Sequence, residues 1–165
     1  RRFGFFKLFD KEEFNKITFL KKLGVEPLSK LFNERYFKTH LKNKKKNIKN
    51  LLMDQTFVSG LGNIYVNEVL YLSKINPLKN CNLLKKNEVN SLIFNIKKIL
   101  KFSISKGGAS IKDFKSVLGV SGDFQQFFYA YDQEGKNCSR KSCVGKIKKV
   151  LIANRSTFYC EKCQN

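Results

Sequence analysis

No stretch of the 165-residue chain approaches the ~18 apolar residues that a membrane helix needs, and no secretory or transit segment opens it. Those absences argue against a helical membrane protein and against an extracellular disulfide scaffold, so the chain reads as soluble and intracellular. No internal repeat is evident, and no low-complexity linker beyond one lysine run. Acidic residues are also scarce: 13 stand against 33 basic ones, for a net charge of +20. Such an excess predicts a polyanionic partner, most simply nucleic acid, with affinity that falls steeply as salt rises. Arginine is scarcer still, because 28 of the 33 basic residues are Lys and only five are Arg: Arg1, Arg2, Arg35, Arg140 and Arg155. A composition rich in Lys, Asn, Ile and Phe is also what an AT-rich coding sequence yields, so charge by itself does not decide the partner.

What the chain does carry is a cysteine quartet. Cys138 and Cys143 form a C-x4-C pair, and after sixteen intervening residues Cys160 and Cys163 form C-x2-C, the spacing by which two knuckles offer four thiolates to one tetrahedral zinc. Four sulfur ligands leave no open coordination position, so such a metal is structural. Two disulfides or four unrelated buried thiols are the alternatives, which the missing secretory segment and a fifth cysteine, Cys81, make the weaker fit. Cys81 reads as a small buried hydrophobe or an idle thiol.

Along the chain, Arg1-Arg2-Phe3-Gly4-Phe5-Phe6-Lys7-Leu8-Phe9 alternates like a strand and starts without Met, which reads as an interior cut. Phe14, Ile17, Leu20 and Leu23 recur at helical spacing until Gly24 and Pro27 stop that helix; a second holds Leu31 and Phe32 and runs towards Leu41. A lysine cluster at Lys42, Lys44, Lys45, Lys46 and Lys49 introduces a helix with Ile48, Leu51 and Leu52 on its apolar side. The turn Ser59-Gly60-Leu61-Gly62 then leads into a helix from Asn63 to Leu72, and its two glycines expose backbone amides at that helix start, a phosphate-binding arrangement. A long amphipathic helix follows through Val89, Leu92, Ile93, Ile96, Leu100 and Ile104, and Gly107-Gly108 ends it. Residues 109–115 suggest one more short helix. Ser116, Val117, Leu118, Gly119, Val120, Ser121, Gly122, Asp123 and Phe124 have little periodicity and read as a mobile loop. From Gln126 short strands are expected at Phe127 to Tyr131, Ile147 to Ile152 and Thr157 to Tyr159. The fold class is thus mainly α with a small β zinc-finger module, dividing at about residue 125.

Several segments are specific beyond this. Leu51-Leu52-Met53-Asp54-Gln55 followed by Gly60-Leu61-Gly62-Asn63-Ile64-Tyr65-Val66-Asn67-Glu68 closely resembles the helix–two-turn–helix motif of bacterial formamidopyrimidine-DNA glycosylases. Arg1-Arg2-Phe3-Gly4, Leu23-Gly24-Val25-Glu26-Pro27-Leu28-Ser29 and Arg155-Ser156-Thr157-Phe158-Tyr159-Cys160 agree with the same family in the same order. The resemblance implies a DNA-repair enzyme that excises oxidised purines such as 8-oxoguanine and formamidopyrimidines from damaged double-stranded DNA. It then cleaves the abasic site by β,δ-elimination, acting as a monomer in the cytoplasm. Residues 1–10 would be the end of an N-terminal β-sandwich, 11–125 the helix–two-turn–helix domain and 126–165 the zinc finger.

The resemblance also assigns residues. Arg1 and Phe3, beside Arg2, would fill the gap left by the flipped nucleotide. Asn63, with Gly62 before it, would hold phosphate, Lys49 would grip the backbone from the preceding helix, and Arg155 would contact phosphates at the flipped nucleotide and assist elimination. The loop 116–124 would close over the extruded base, and the lysines from Lys42 to Lys46 would add diffuse attraction. The four residues between Cys138 and Cys143 depart from the family's usual two. The family's nucleophile is an N-terminal proline amine, and neither Pro27 nor Pro77 is terminal, so this chain alone is expected to be inactive. Two alternatives stand beside this reading: an endonuclease VIII-type enzyme for pyrimidine lesions, and a non-enzymatic DNA-binding or damage-sensing module.

Overall fold

In the computed structural model, residues 6–10, 12–13, 17–41, 45–110 and 122–164 are described. After α1 (Thr18–Lys21) come α2 (Glu34–Leu41), α3 (Ile48–Leu52), α4 (Asn63–Leu72) and α5 (Lys86–Ser105), with short 3-10 turns at Cys81–Leu83 and Phe124–Phe127, and then one hairpin of β1 (Ile147–Ile152) and β2 (Arg155–Cys160). Among the described residues no helix is long and apolar enough to cross a membrane.

Each helix starts where its sequence supplies a partner for the orphan amides. The Asn33 side chain accepts from Tyr36 N–H at 3.0 Å before α2, and Asn47 accepts from Asn50 N–H at 2.9 Å before α3. Glu88 accepts from Lys85 N–H at 2.8 Å and from Lys79 Nζ at 2.7 Å at the head of α5. The exceptions are α1, preceded by Ile17, and α4, whose cap is Gly62, neither with a side-chain bond to the helix.

The turn between α3 and α4 is braced from within. Gln55 donates to Leu61 O at 3.0 Å and accepts from Gly60 N–H at 2.8 Å, while Gly60 takes φ +75°, a left-handed conformation that favours glycine. Gly24 lies against the same turn: its N–H reaches Gln55 O at 2.8 Å, and a Cβ there would stand 2.3 Å from the Phe57 carbonyl. That contact ties Leu23-Gly24-Val25 to the helix pair.

Phe32, Phe37, Phe57, Leu51, Leu61, Val66, Leu92 and Ile96, all buried, form the main core between α2, α3, α4 and α5. Burying one side chain of this size is worth about 1.5–3 kcal/mol, so the helical layer holds itself together. Cys81 belongs to this core at 1% exposure, as expected of a small hydrophobe. A second, smaller cluster joins Tyr71 of α4 to Ala130, Cys138, Ile147, Phe158 and Cys160.

The structure corrects the strand count. Residues 124–127 wind into a 3-10 turn and no strand forms at Phe127 to Tyr131, because the amides of Tyr129, Ala130 and Tyr131 turn inward onto one carboxylate, Glu68. The second strand starts earlier than expected, at Arg155. Ala153 (φ 49°) and Asn154 (φ 57°) form the two-residue link with left-handed backbone at both positions, which matches strand twist in a tight hairpin. Residues 14–16, inside the first expected helix, and 111–115, the expected short helix, lie outside the described residues.

Candidate functional site

The hairpin sits on the start of α4. Asn63 Nδ2 donates to Ser156 O at 3.0 Å, Lys49 Nζ donates to the same oxygen at 3.3 Å and also to Thr157 Oγ1, and Phe158 N–H donates to Asn67 Oδ1 at 2.7 Å. One turn further on, the fully buried Glu68 accepts N–H groups from Tyr129, Ala130 and Tyr131 at 2.8, 2.9 and 2.8 Å. Burial pushes the Glu68 carboxyl up, against the pull of those three donors.

Gly62, Asn63, Ile64, Tyr65, Tyr131 and Arg155 together line a cleft of about 280 Å³. The start of α4 carries amides without helical partners, and the exposed Arg155 faces them from the hairpin. Backbone amides, an amide side chain, a phenol and a guanidinium converge on one opening with no carboxylate in the lining. This is chemistry for one anionic oxygen group, held without any readout of its substituents.

Lys49 differs from the surface grip expected of it. At 1% exposure it lies beneath the hairpin, with its ammonium directed to Ser156 and Thr157. Burial, followed by the charge of Arg155, lowers its pKa from 10.5 to about 8. Between pH 8 and 10.5 the unfolded chain therefore holds a proton that the folded chain has lost, so stability rises with pH in that window. From pH 8 to 9.5 this lysine should contribute about 2 kcal/mol of added stability. Denaturant melts of the wild type and Lys49→Met at the two pH values check it; equal pH slopes would refute it.

The second centre is the cysteine quartet. Sγ atoms of Cys138, Cys143, Cys160 and Cys163 all lie within 4.8 Å of one another, with Cys138–Cys163 at 3.8 Å and Cys143–Cys160 at 3.6 Å. Disulfide sulfurs would be ~2.05 Å apart, whereas four sulfurs ~2.3 Å from a central zinc sit ~3.8 Å apart. Gly145 permits this approach, since a Cβ on it would stand 2.7 Å from Cys160 Sγ. Burial and the neighbouring sulfurs push the Cys163 thiol up to about 12. Burial also acts to raise Cys138, but the Tyr71 hydroxyl and the Arg140 amide bring it down to about 7. Four thiolates cannot be charged together here without a cation among them, so the donor set fits a metal ion.

Of the other expected site residues, Arg1, Arg2 and Phe3 lie outside the described residues, as do Ser116, Val117, Leu118, Gly119, Val120 and Ser121. Phe124 is corrected: it is fully buried in the main core, against Tyr65 and Phe102, and not in a loop open to a ligand. Asn67, Glu68, Ile64, Tyr65 and Tyr131 are residues of the site that the sequence did not assign to it. The signal for the first two was present, as adjacent polar residues inside an otherwise apolar stretch of α4.

A model of the "Formamidopyrimidine-DNA glycosylase H2TH domain" matches residues 23–115. A formamidopyrimidine-DNA glycosylase of Bartonella tribocorum is 41% identical over 170 residues, covering 99% of this chain and 58% of that protein. One from Prochlorococcus marinus is 44% identical over 149 residues, covering 90% and 52%. The chain thus spans somewhat over half the length of the curated relatives it matches. Among solved structures, the complex of Lactococcus lactis Fpg with DNA containing an abasic site superposes with TM-score 0.84 at 39% identity, covering 94% of this chain and 56% of that one. The MutM (Fpg) protein of Thermus thermophilus gives TM-score 0.84 at 30% identity, covering 92% and 57%.

Proposed function

Because the chain belongs to the formamidopyrimidine-DNA glycosylase family, we propose that it is the strand-gripping part of a base-excision enzyme acting on oxidised purines in duplex DNA. The observation that carries this reading is the cleft where Gly62, Asn63, Tyr131 and Arg155 converge, in a chain of net charge +20. A phosphodiester is the anion it fits: amides at the head of α4 and the Asn63 side chain receive its oxygens, and Arg155 supplies the charge from the opposite wall. Gripping the phosphate beside a lesion holds the nucleotide out of the stack while the base is removed and the strand is cut.

The residues divide the work. Asn63 and the α4 amides position the phosphate, and Arg155 neutralises charge as the phosphate leaves during elimination. Lys49 holds the Ser156 carbonyl and so fixes the strand that carries Arg155. Cys138, Cys143, Cys160 and Cys163 would hold one zinc, which when bound supplies rigidity to a finger too small to fold on its own core. Nucleophilic attack on the sugar is not assigned to this chain's residues, since the nitrogens of Pro27 and Pro77 are peptide nitrogens and not amines.

Asn63→Ala tests the reading. Its removal should weaken binding of the full-length protein to a duplex with a stable abasic-site analogue by about 10-fold, the worth of one hydrogen bond to a charged group. Affinity within twofold of the wild type would count against the cleft as the phosphate site.

A further inference from the structure

The far end of α4 carries an arrangement that the strand-gripping role does not use. Tyr71, 1% exposed, places its hydroxyl 3.1 Å from Cys138 Sγ and 3.0 Å from Ser139 Oγ. Its ring stacks with Tyr129 at 5.8 Å and an interplanar angle of 7°, and the Arg140 guanidinium stands 4.6 Å from the ring centre. Arg140 Nη2 donates to Tyr71 O and, at 3.3 Å, to Leu72 O, two of the last carbonyls of α4. Its Nε is buried with no hydrogen-bond partner, so the cation is held there by the ring and the helix end together.

We propose that Tyr71 and Arg140 are positioning residues for the metal centre: the phenol donates to the Cys138 thiolate, and Arg140 latches the enlarged first knuckle to the end of α4. A metal-bound thiolate has no proton to give, so the hydrogen in the Tyr71–Cys138 bond belongs to the phenol, and Ser139 then donates to the phenol oxygen. Hydrogen bonds from outside the ligand set orient a ligand and lower the charge it carries. The four residues between Cys138 and Cys143 give the knuckle the length from which Arg140 reaches back to the helix. One ten-residue helix, about 15 Å long, thereby has its phosphate-facing start and its metal-facing end on a single rigid rod.

The inference rests on the zinc reading above, and the experiment separates the two. Zinc release from the full-length protein into a chromophoric chelator is followed for the wild type, Tyr71→Phe and Arg140→Gln, and the cobalt(II)-substituted forms are compared by absorption. Tyr71→Phe keeps the stacked ring, and should release zinc about 10-fold faster with a shifted sulfur-to-cobalt band. Arg140→Gln should speed release without that shift. Wild-type protein that binds no zinc would defeat the metal reading itself. Bound zinc, with release and spectrum unchanged in Tyr71→Phe, would overturn this one; should Tyr71→Phe not fold, an unchanged release rate in Arg140→Gln would do so.

Discussion

Arg155→Ala in the full-length protein should slow strand incision at an abasic site by about 100-fold, the usual cost of removing one donor aimed at developing charge. Its melting temperature should barely move. The side chain is exposed, and the hairpin is held by other bonds: Phe158 N–H to Asn67, Lys49 to Thr157, and Asn63 to Ser156. Removing the guanidinium also relieves the charge that depresses Lys49, so any stability change should be slightly favourable. Single-turnover cleavage beside a thermal melt distinguishes the outcomes. Loss of cleavage with loss of fold would mean that Arg155 is structural, and unchanged cleavage would remove it from the site.

Cys160→Ser should have the broader effect. Cys160 is fully buried in the small cluster with Tyr71, Ala130, Cys138, Ile147 and Phe158, the finger's main apolar cluster among the described residues. A structural zinc in so small a unit contributes on the order of 10 kcal/mol to its folding, far more than that cluster can replace. The variant should lose its zinc and bind an abasic-site duplex about 100-fold more weakly, because Arg155 would no longer face Asn63. Far-UV circular dichroism should change little, since α2 to α5 share a separate core. Full DNA affinity without bound zinc would show that the finger needs no metal.

The helices from residue 48 on were legible because their signals are local, whereas the helix expected to hold Leu31 and Phe32 starts only at Glu34, where the Asn33 side chain caps it. The helix expected from about Asn63 to Leu72 forms over that span, and the long helix through Val89 and Ile104 announced itself by three- and four-residue steps. The quartet was legible from spacing, since its ligands arrive in two short pairs. The strand expected at Phe127 to Tyr131 failed for a non-local reason: its aromatics are β-prone, but the amides of Tyr129, Ala130 and Tyr131 are claimed by Glu68, some sixty residues earlier. The burial of Lys49 was not legible for the same kind of reason. Nothing near it in sequence shows that a hairpin more than a hundred residues later will cover it. Tyr131 enters the cleft only through the turn that Glu68 imposes.

The most direct test of the cleft pairs a protein change with a DNA change. Single phosphates around an abasic-site analogue are replaced one at a time by neutral methylphosphonates, and affinity is measured for the wild type and for Asn63→Ala. At one position the neutral linkage should weaken the wild type by about 10-fold and add little to the Asn63→Ala loss, because both changes remove the same bond. Losses that simply multiply at every phosphate would show that Asn63 and the head of α4 do not hold the strand.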